Sequence, residues 1–106
     1  MARGKRDRSE WPDFTATAWR QFLSLPNSAQ DELVSTFPEF VAHPIRPSLT
    51  LDIVPLRDDP ERWRLKITGF RVLYRVRQGR ALIEEIEPRT VDTYLRFGRF
   101  VRSRPP

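Results

Sequence analysis

From Trp63 to Arg77 the chain reads WRLKITGFRVLYRVR, and its charged side chains are all cations: Arg64, Lys66, Arg71, Arg75 and Arg77. Arginine presents a planar fork of donors that fits a phosphate, whereas lysine is a point charge that can release its proton. Spacing of two on either side of Thr68-Gly69 puts these cations on one face of a β-hairpin, with glycine supplying the positive φ of a two-residue turn. In that register Ile67 faces Phe70, Lys66 faces Arg71, Leu65 faces Val72, Arg64 faces Leu73 and Trp63 faces Tyr74. Opposed residues share a face of a sheet. Trp63, Leu65, Ile67, Phe70, Val72, Tyr74 and Val76 therefore form an apolar side that must be covered, and a one-residue slip would mix the two sets. Lys66 opposite Arg71 is a like-charge pair, which destabilises a ladder by about 0.2–1 kcal/mol. No carboxylate lies within the stretch to relieve it. The reading is an anion site built on rigid strands, with a merely solvated face as the simpler alternative.

The charge distribution points the same way. The net charge of the 106 residues is +5, but residues 11–61 hold three basic and eight acidic side chains, and residues 62–106 hold twelve basic and four acidic. Seventeen of the nineteen cations are arginine. Such segregation favours a polyanionic partner for the C-terminal half. There is no cysteine, hence no disulfide and no thiolate metal site, and one histidine makes no zinc centre without several carboxylates. The N-terminus MARGKRDRSE lacks an apolar stretch and no run is long enough to span a bilayer, so a soluble, cytoplasmic protein is expected.

The elements that must position the cations fit one domain. Residues 1–10 read as a flexible basic arm, 11–94 as a single domain and 95–106 as a basic aromatic tail. Residues 11–14 suit a short edge strand. Thr15 or Thr17 can cap a helix with Trp19, Phe22 and Leu23 on its apolar face, ended by Pro26. Asn27 or Ser28 can cap a second, carrying Leu33, Val34, Phe37, Phe40 and Val41, with Pro38 expected to kink or break its last turn. Residues 43–61 are a proline-punctuated connection in which Leu49, Leu51 and Ile53 alternate, and residues 58–61 read as a turn. Residues 81–87 (ALIEEIE) favour helix by propensity, but seven residues between Gly79-Arg80 and Pro88 suit a strand better. The expected fold is α+β, a helical hairpin packed on a small, mainly antiparallel twisted sheet.

WRLKITGFRVLYRV resembles the central hairpin of the RelE/ParE toxin superfamily. The rest follows in order: a helical hairpin broken at Leu25-Pro26 and ending near His43-Pro44, the connector PLRDDP, the hairpin, a third strand, and the closing segment from Pro88 to Tyr94. The resemblance implies a toxin of a type II toxin–antitoxin pair, silenced by a cognate antitoxin. In its RelE-like branch it implies a ribosome-dependent mRNA endoribonuclease that inhibits translation without metal or cofactor. The positions matching that branch's catalytic set are Arg64, Lys66, Arg71, Arg89 and Tyr94. Pro88 departs from the pattern, since many relatives place histidine or lysine there. The lone histidine, His43, reads as a helix-end residue remote from the basic face.

The implied reaction is attack of the 2′-hydroxyl on the adjacent phosphorus with departure of the 5′-oxygen. Lys66 would accept the proton, because crowding by Arg64 and Arg71 discourages its charged form. Arg71 would offset phosphorane charge, Arg89 would stabilise the leaving oxygen and Tyr94 would stack on or position a base, or else anchor the tail. Arg75, Arg77, Arg80 and Arg96 would contact RNA phosphates or simply solvate. Two other readings stay open: a ParE-like inhibitor of DNA gyrase without nuclease activity, and a noncatalytic RNA-binding module.

Overall fold

Alternating apolar residues around two tight turns make a three-stranded meander, and this meander is the centre of the protein. The computed structural model describes residues 10–89. Most of the arm, Tyr94, Arg96 and the tail lie outside the described residues. The elements run β1 (Asp13–Phe14), α1 (Ala16–Leu23), α2 (Asn27–Ala42), β2 (Asp52–Leu56), β3 (Asp59–Ile67), β4 (Phe70–Arg77) and β5 (Arg80–Pro88). They form one five-stranded sheet in the order β1-β5-β4-β3-β2, antiparallel except for the β1–β5 pair. The two helices pack on its apolar face, giving the α+β architecture that the sequence implied.

The β3–β4 register is the expected one, from Trp63 opposite Tyr74 to Ile67 opposite Phe70. Leu65, Ile67, Val72 and Tyr74 are buried, and Trp63, Phe70 and Val76 pack at the rim of the same core. Gly69 has φ +82°. The second turn has positive φ at both Gln78 and Gly79, the signature of a type I′ hairpin turn. In β5 the segment 81–87 is strand, and a bulge explains its helix-like spacing. Tyr74 pairs with Ile83 and Leu73 with Glu85, so Glu84 is the extra residue. Ile83 and Ile86, three apart, thereby both reach the core.

Thr15 joins three elements. It caps α1, its Oγ1 accepting from Ala18 N–H at 3.0 Å and donating to Glu84 O at 3.2 Å, while its N–H donates to Ile83 O at 2.9 Å. The buried face of α1 is Ala18 and Phe22, not the expected Trp19 and Leu23, which are 40% and 56% exposed. In this two-turn helix the sheet takes the i, i+4 pair, and Trp19 is left stacked beside Phe22 with its edge to Phe14. The cap of α2 also differs: Pro26 takes that position without a side-chain hydrogen bond. Gln30 is used instead, donating to the carbonyls of Phe22, Leu23 and Leu25 and so closing the end of α1.

The helix α2 runs through Pro38 to Ala42 instead of breaking. Pro38 faces solvent while Phe37 and Phe40 on either side are buried, so packing holds the last turn. In the connector, the turn is at residues 57–58 and Asp59 already opens β3, correcting the turn expected at 58–61. Leu51 and Ile53 are buried, but Leu49 is fully exposed. No helix among the described residues is long and apolar enough to cross a membrane.

Candidate functional site

The outer face of the sheet carries the cations, and their order across the strands decides what they can do. In one cross-strand row Asp52 of β2 pairs with Lys66 of β3, Lys66 with Arg71 of β4, and Arg71 with Glu87 of β5. The row reads acid, base, base, acid. Asp52 Oδ2 lies 3.4 Å from Lys66 Nζ, and its Oδ1 accepts from Arg64 at 3.1 Å. Glu87 Oε1 accepts from Arg71 at 2.9 Å.

These contacts correct the expectation of an unpaired basic face. The carboxylates come from the flanking strands, 12 and 16 residues away in sequence, where the hairpin alone could not show them. The like-charge pair is flanked on both outer sides by opposite charge, so its retention does not by itself demand an external anion. Crowding of Lys66 by cations is likewise incomplete, because Asp52 offsets the two guanidiniums. All three cations remain partly open to solvent, at 20–35% of their side-chain surface. The buried Nε atoms of Arg64 and Arg71 have no hydrogen-bond partner among the described residues. Buried donors left in this state are uncommon in folded proteins.

At the hairpin tip Arg89 N–H donates to Gly69 O at 2.7 Å, which brings the chain after β5 against the turn. From the helical layer Glu32 Oε2 accepts from Thr68 N–H at 3.1 Å and lies 3.4 Å from its hydroxyl. Sequence reasoning missed Glu32, since an acidic residue on a helix gives no sign of the turn that it holds. Arg64, Lys66, Arg71 and the Arg89 backbone thus gather near one end of the sheet. Tyr94 lies outside the described residues.

A separate network occupies the other end. Arg75 is held by Glu84 at 3.0 Å, Glu61 at 3.0 Å and Asp59 at 3.3 Å. Its hydrogen bonds to Glu84 and Glu61 raise its already high pKa further. Arg62, directly opposite Arg75, is joined to it by the second oxygen of Glu84 at 3.0 Å. Glu61 also accepts from Arg77 at 3.1 Å, and its carboxyl is held below the usual range first by Arg77 and then by Arg75. Arg77 and Arg80 are well exposed, Arg80 resting on Asp13 at 3.0 Å. His43 caps the C-terminus of α2, its N–H on Glu39 O at 2.9 Å. An open groove between α1 and the ends of β4 and β5 is lined by Gln21, Leu25, Phe70 and Pro88 and contains none of the candidate cations.

No protein-family model and no curated protein matches the chain. Solved structures do. E. coli toxin RelE carrying two arginine-to-alanine substitutions, in complex with an antitoxin RelBc peptide, superposes with a TM-score of 0.64 at 17% identity, over 81% of this chain and 90% of that one. The RelB–RelE antitoxin–toxin complex from Methanococcus jannaschii gives 0.63 at 13% identity, over 80% and 96%. The RelBE2 toxin–antitoxin complex from Mycobacterium tuberculosis gives 0.60 at 25% identity, over 73% and 87%. Two helices on a five-stranded, mostly antiparallel sheet, superposing on toxins from bacteria and an archaeon at low identity, are the RelE fold, and this chain is a structural match to the RelE toxins.

Proposed function

We propose that this chain is the toxin of a type II toxin–antitoxin pair and acts in the cytoplasm as a ribosome-dependent mRNA endoribonuclease. The observation that carries the reading is the gathering of Arg64, Lys66 and Arg71 on adjacent rigid strands of a RelE-type sheet, with Arg89 following at the hairpin tip. The solved relatives were crystallised as antitoxin complexes, which supports a cognate antitoxin as the partner that silences this chain.

The 2′-oxygen forms its bond to phosphorus as the bond from phosphorus to the 5′-oxygen breaks, giving a 2′,3′-cyclic phosphate and a 5′-hydroxyl. Lys66 takes the 2′-hydroxyl proton, Arg71 offsets charge on the phosphorane oxygens, and Arg89 stabilises the departing 5′-oxygen, which takes a proton from solvent. Tyr94 positions a base. Arg77, Arg80 and Arg96 contribute phosphate contacts, and Arg75, already held by three carboxylates, contributes least of the RNA-binding set. The Lys66–Asp52 contact favours one other reading, a noncatalytic RNA-binding face, because the proposed base already sits in an ion pair.

Primer extension on a translated reporter mRNA after brief induction separates the two. Discrete cuts within codons, lost in a Lys66→Ala, Arg71→Ala double variant, are expected. Lys66→Arg keeps the charge but not a base that can deprotonate, and full cleavage by that variant would overturn the lysine role. Arrest of growth with no cut, unchanged in the double variant, would overturn the nuclease reading.

A further inference from the structure

The two acids of the central row have no role in the chemistry above, yet between them they contact all three of the hairpin's candidate catalytic cations. Asp52 spends one oxygen on Arg64 and the other on Lys66. Glu87 faces Arg71 in the ladder and bonds it. A carboxylate and a phosphate offer an arginine the same thing, a pair of anionic oxygens in one plane with its donors. The cationic centre is therefore already occupied by anionic oxygens of the protein itself.

We propose that Asp52 and Glu87 are specificity-determining residues that act as internal competitors for the phosphate site. An incoming phosphodiester must displace them from Arg64, Lys66 and Arg71 before it can bind. This rests on the reading of the face as an RNA site. A lone phosphate of a passing polyanion meets cations that are already paired and gains little. A strand held in register by another surface presents several phosphates at once and can replace both carboxylates together. The acids thus suppress binding of free RNA while permitting an RNA whose path is fixed in advance.

Geometry distinguishes this from ordinary surface pairing. Asp52 and Glu87 flank the like-charge pair in one register row. Asp31, by contrast, is an exposed carboxylate on α2, in the helical layer that packs on the other face of the sheet. Removing Asp31 changes net charge equally without touching the row, which makes it the control.

The test is fluorescence anisotropy with a 2′-O-methyl RNA oligonucleotide, which cannot be cleaved because its nucleophile is blocked. The proteins are the full chain, Asp52→Asn, Glu87→Gln, their double variant, the control Asp31→Asn, and Arg71→Ala. Each row variant is expected to bind roughly 5–10-fold tighter than wild type, the double variant more tightly still, and Asp31→Asn less than about 2-fold tighter. The slope of log affinity against log salt should steepen in the double variant, since more phosphate contacts form without competition. Row variants that bind no better than Asp31→Asn, or more weakly than wild type, would overturn the proposal and leave Asp52 and Glu87 as supports that orient the cations. Should Arg71→Ala bind as well as wild type, the face is not the RNA site and both readings fall together. Circular dichroism melts of the same proteins ensure that the comparison is between folded chains.

Discussion

The Tyr74 hydroxyl donates to Pro44 O at 2.6 Å from a ring that is fully buried against Phe40. It ties the connector after α2 to the middle of β4, directly behind the basic face. Tyr74→Phe keeps the ring but leaves the Pro44 carbonyl without this donor, and should cost about 1 kcal/mol in urea denaturation. Burial also pushes the phenol's pKa well above its ordinary value. An acid whose folded value is raised stays protonated in the native state while the unfolded chain ionises near pH 10, so stability is lost as pH rises through about 10. Wild type should therefore lose more stability than Tyr74→Phe between about pH 8 and about pH 11. Equal losses would show that this phenol does not govern the alkaline limb. At this scale the sequence was informative about types but poor about partners. Lysine and arginine at alternate positions announced a cationic face, but Asp52 and Glu87 reach that face, and Glu32 the turn at its tip, from other elements, and nothing in their own surroundings marks them.

Hairpin register was legible because a single pattern determined it: any slip would have turned Leu65, Val72 and Tyr74 out to solvent. The third strand was harder, because Ile83 and Ile86 have a helical separation that only the bulge at Glu84 reconciles with a sheet. The start of α2 was misjudged, because Pro26 and not Asn27 or Ser28 takes the cap position and Gln30 closes the end of α1 instead. The turn itself is open to test. A Cβ at Gly69 would meet nothing within 4 Å, so Gly69→Ala suffers only the strain of positive φ. That strain should cost about 1–2 kcal/mol. The urea midpoint should fall with the slope unchanged, since the surface exposed on unfolding is the same. Cleavage should fall further than stability does, because Gly69 O is also where the Arg89 backbone is held. A variant with lowered midpoint and full cleavage would show that the tip need not be fixed for activity.

Across the whole molecule the excess positive charge coexists with a sheet face on which acids flank facing pairs of bases. Seven cations of β3, β4 and β5 reach carboxylates on β1, β2, β3 and β5, so the face holds together through strands that are distant in sequence. Individually such exposed pairs are weak, and their weight lies in what happens when all the acids are neutralised together. Glu61 is held below the usual carboxylate range by Arg77 and Arg75, and Glu39, near the Thr50 and Ser48 hydroxyls, is lowered by their hydrogen bonds. For acids with lowered folded values the contribution is present above the unfolded value near pH 4.3 and is lost as pH falls through the lower, folded values. Below that window Glu61 no longer offsets Arg75 and Arg77, which stand with Arg62, Arg64, Lys66 and Arg71 on two adjacent strands. The melting temperature should therefore fall steeply below about pH 4, and added salt should recover part of the loss by screening the exposed cations. A Lys66→Gln, Arg71→Gln variant relieves one of the like-charge rows and should lose less on acidification than wild type. An acid limb of identical steepness in both proteins would place the sensitivity elsewhere, in carboxylates remote from the row that carries the proposed site.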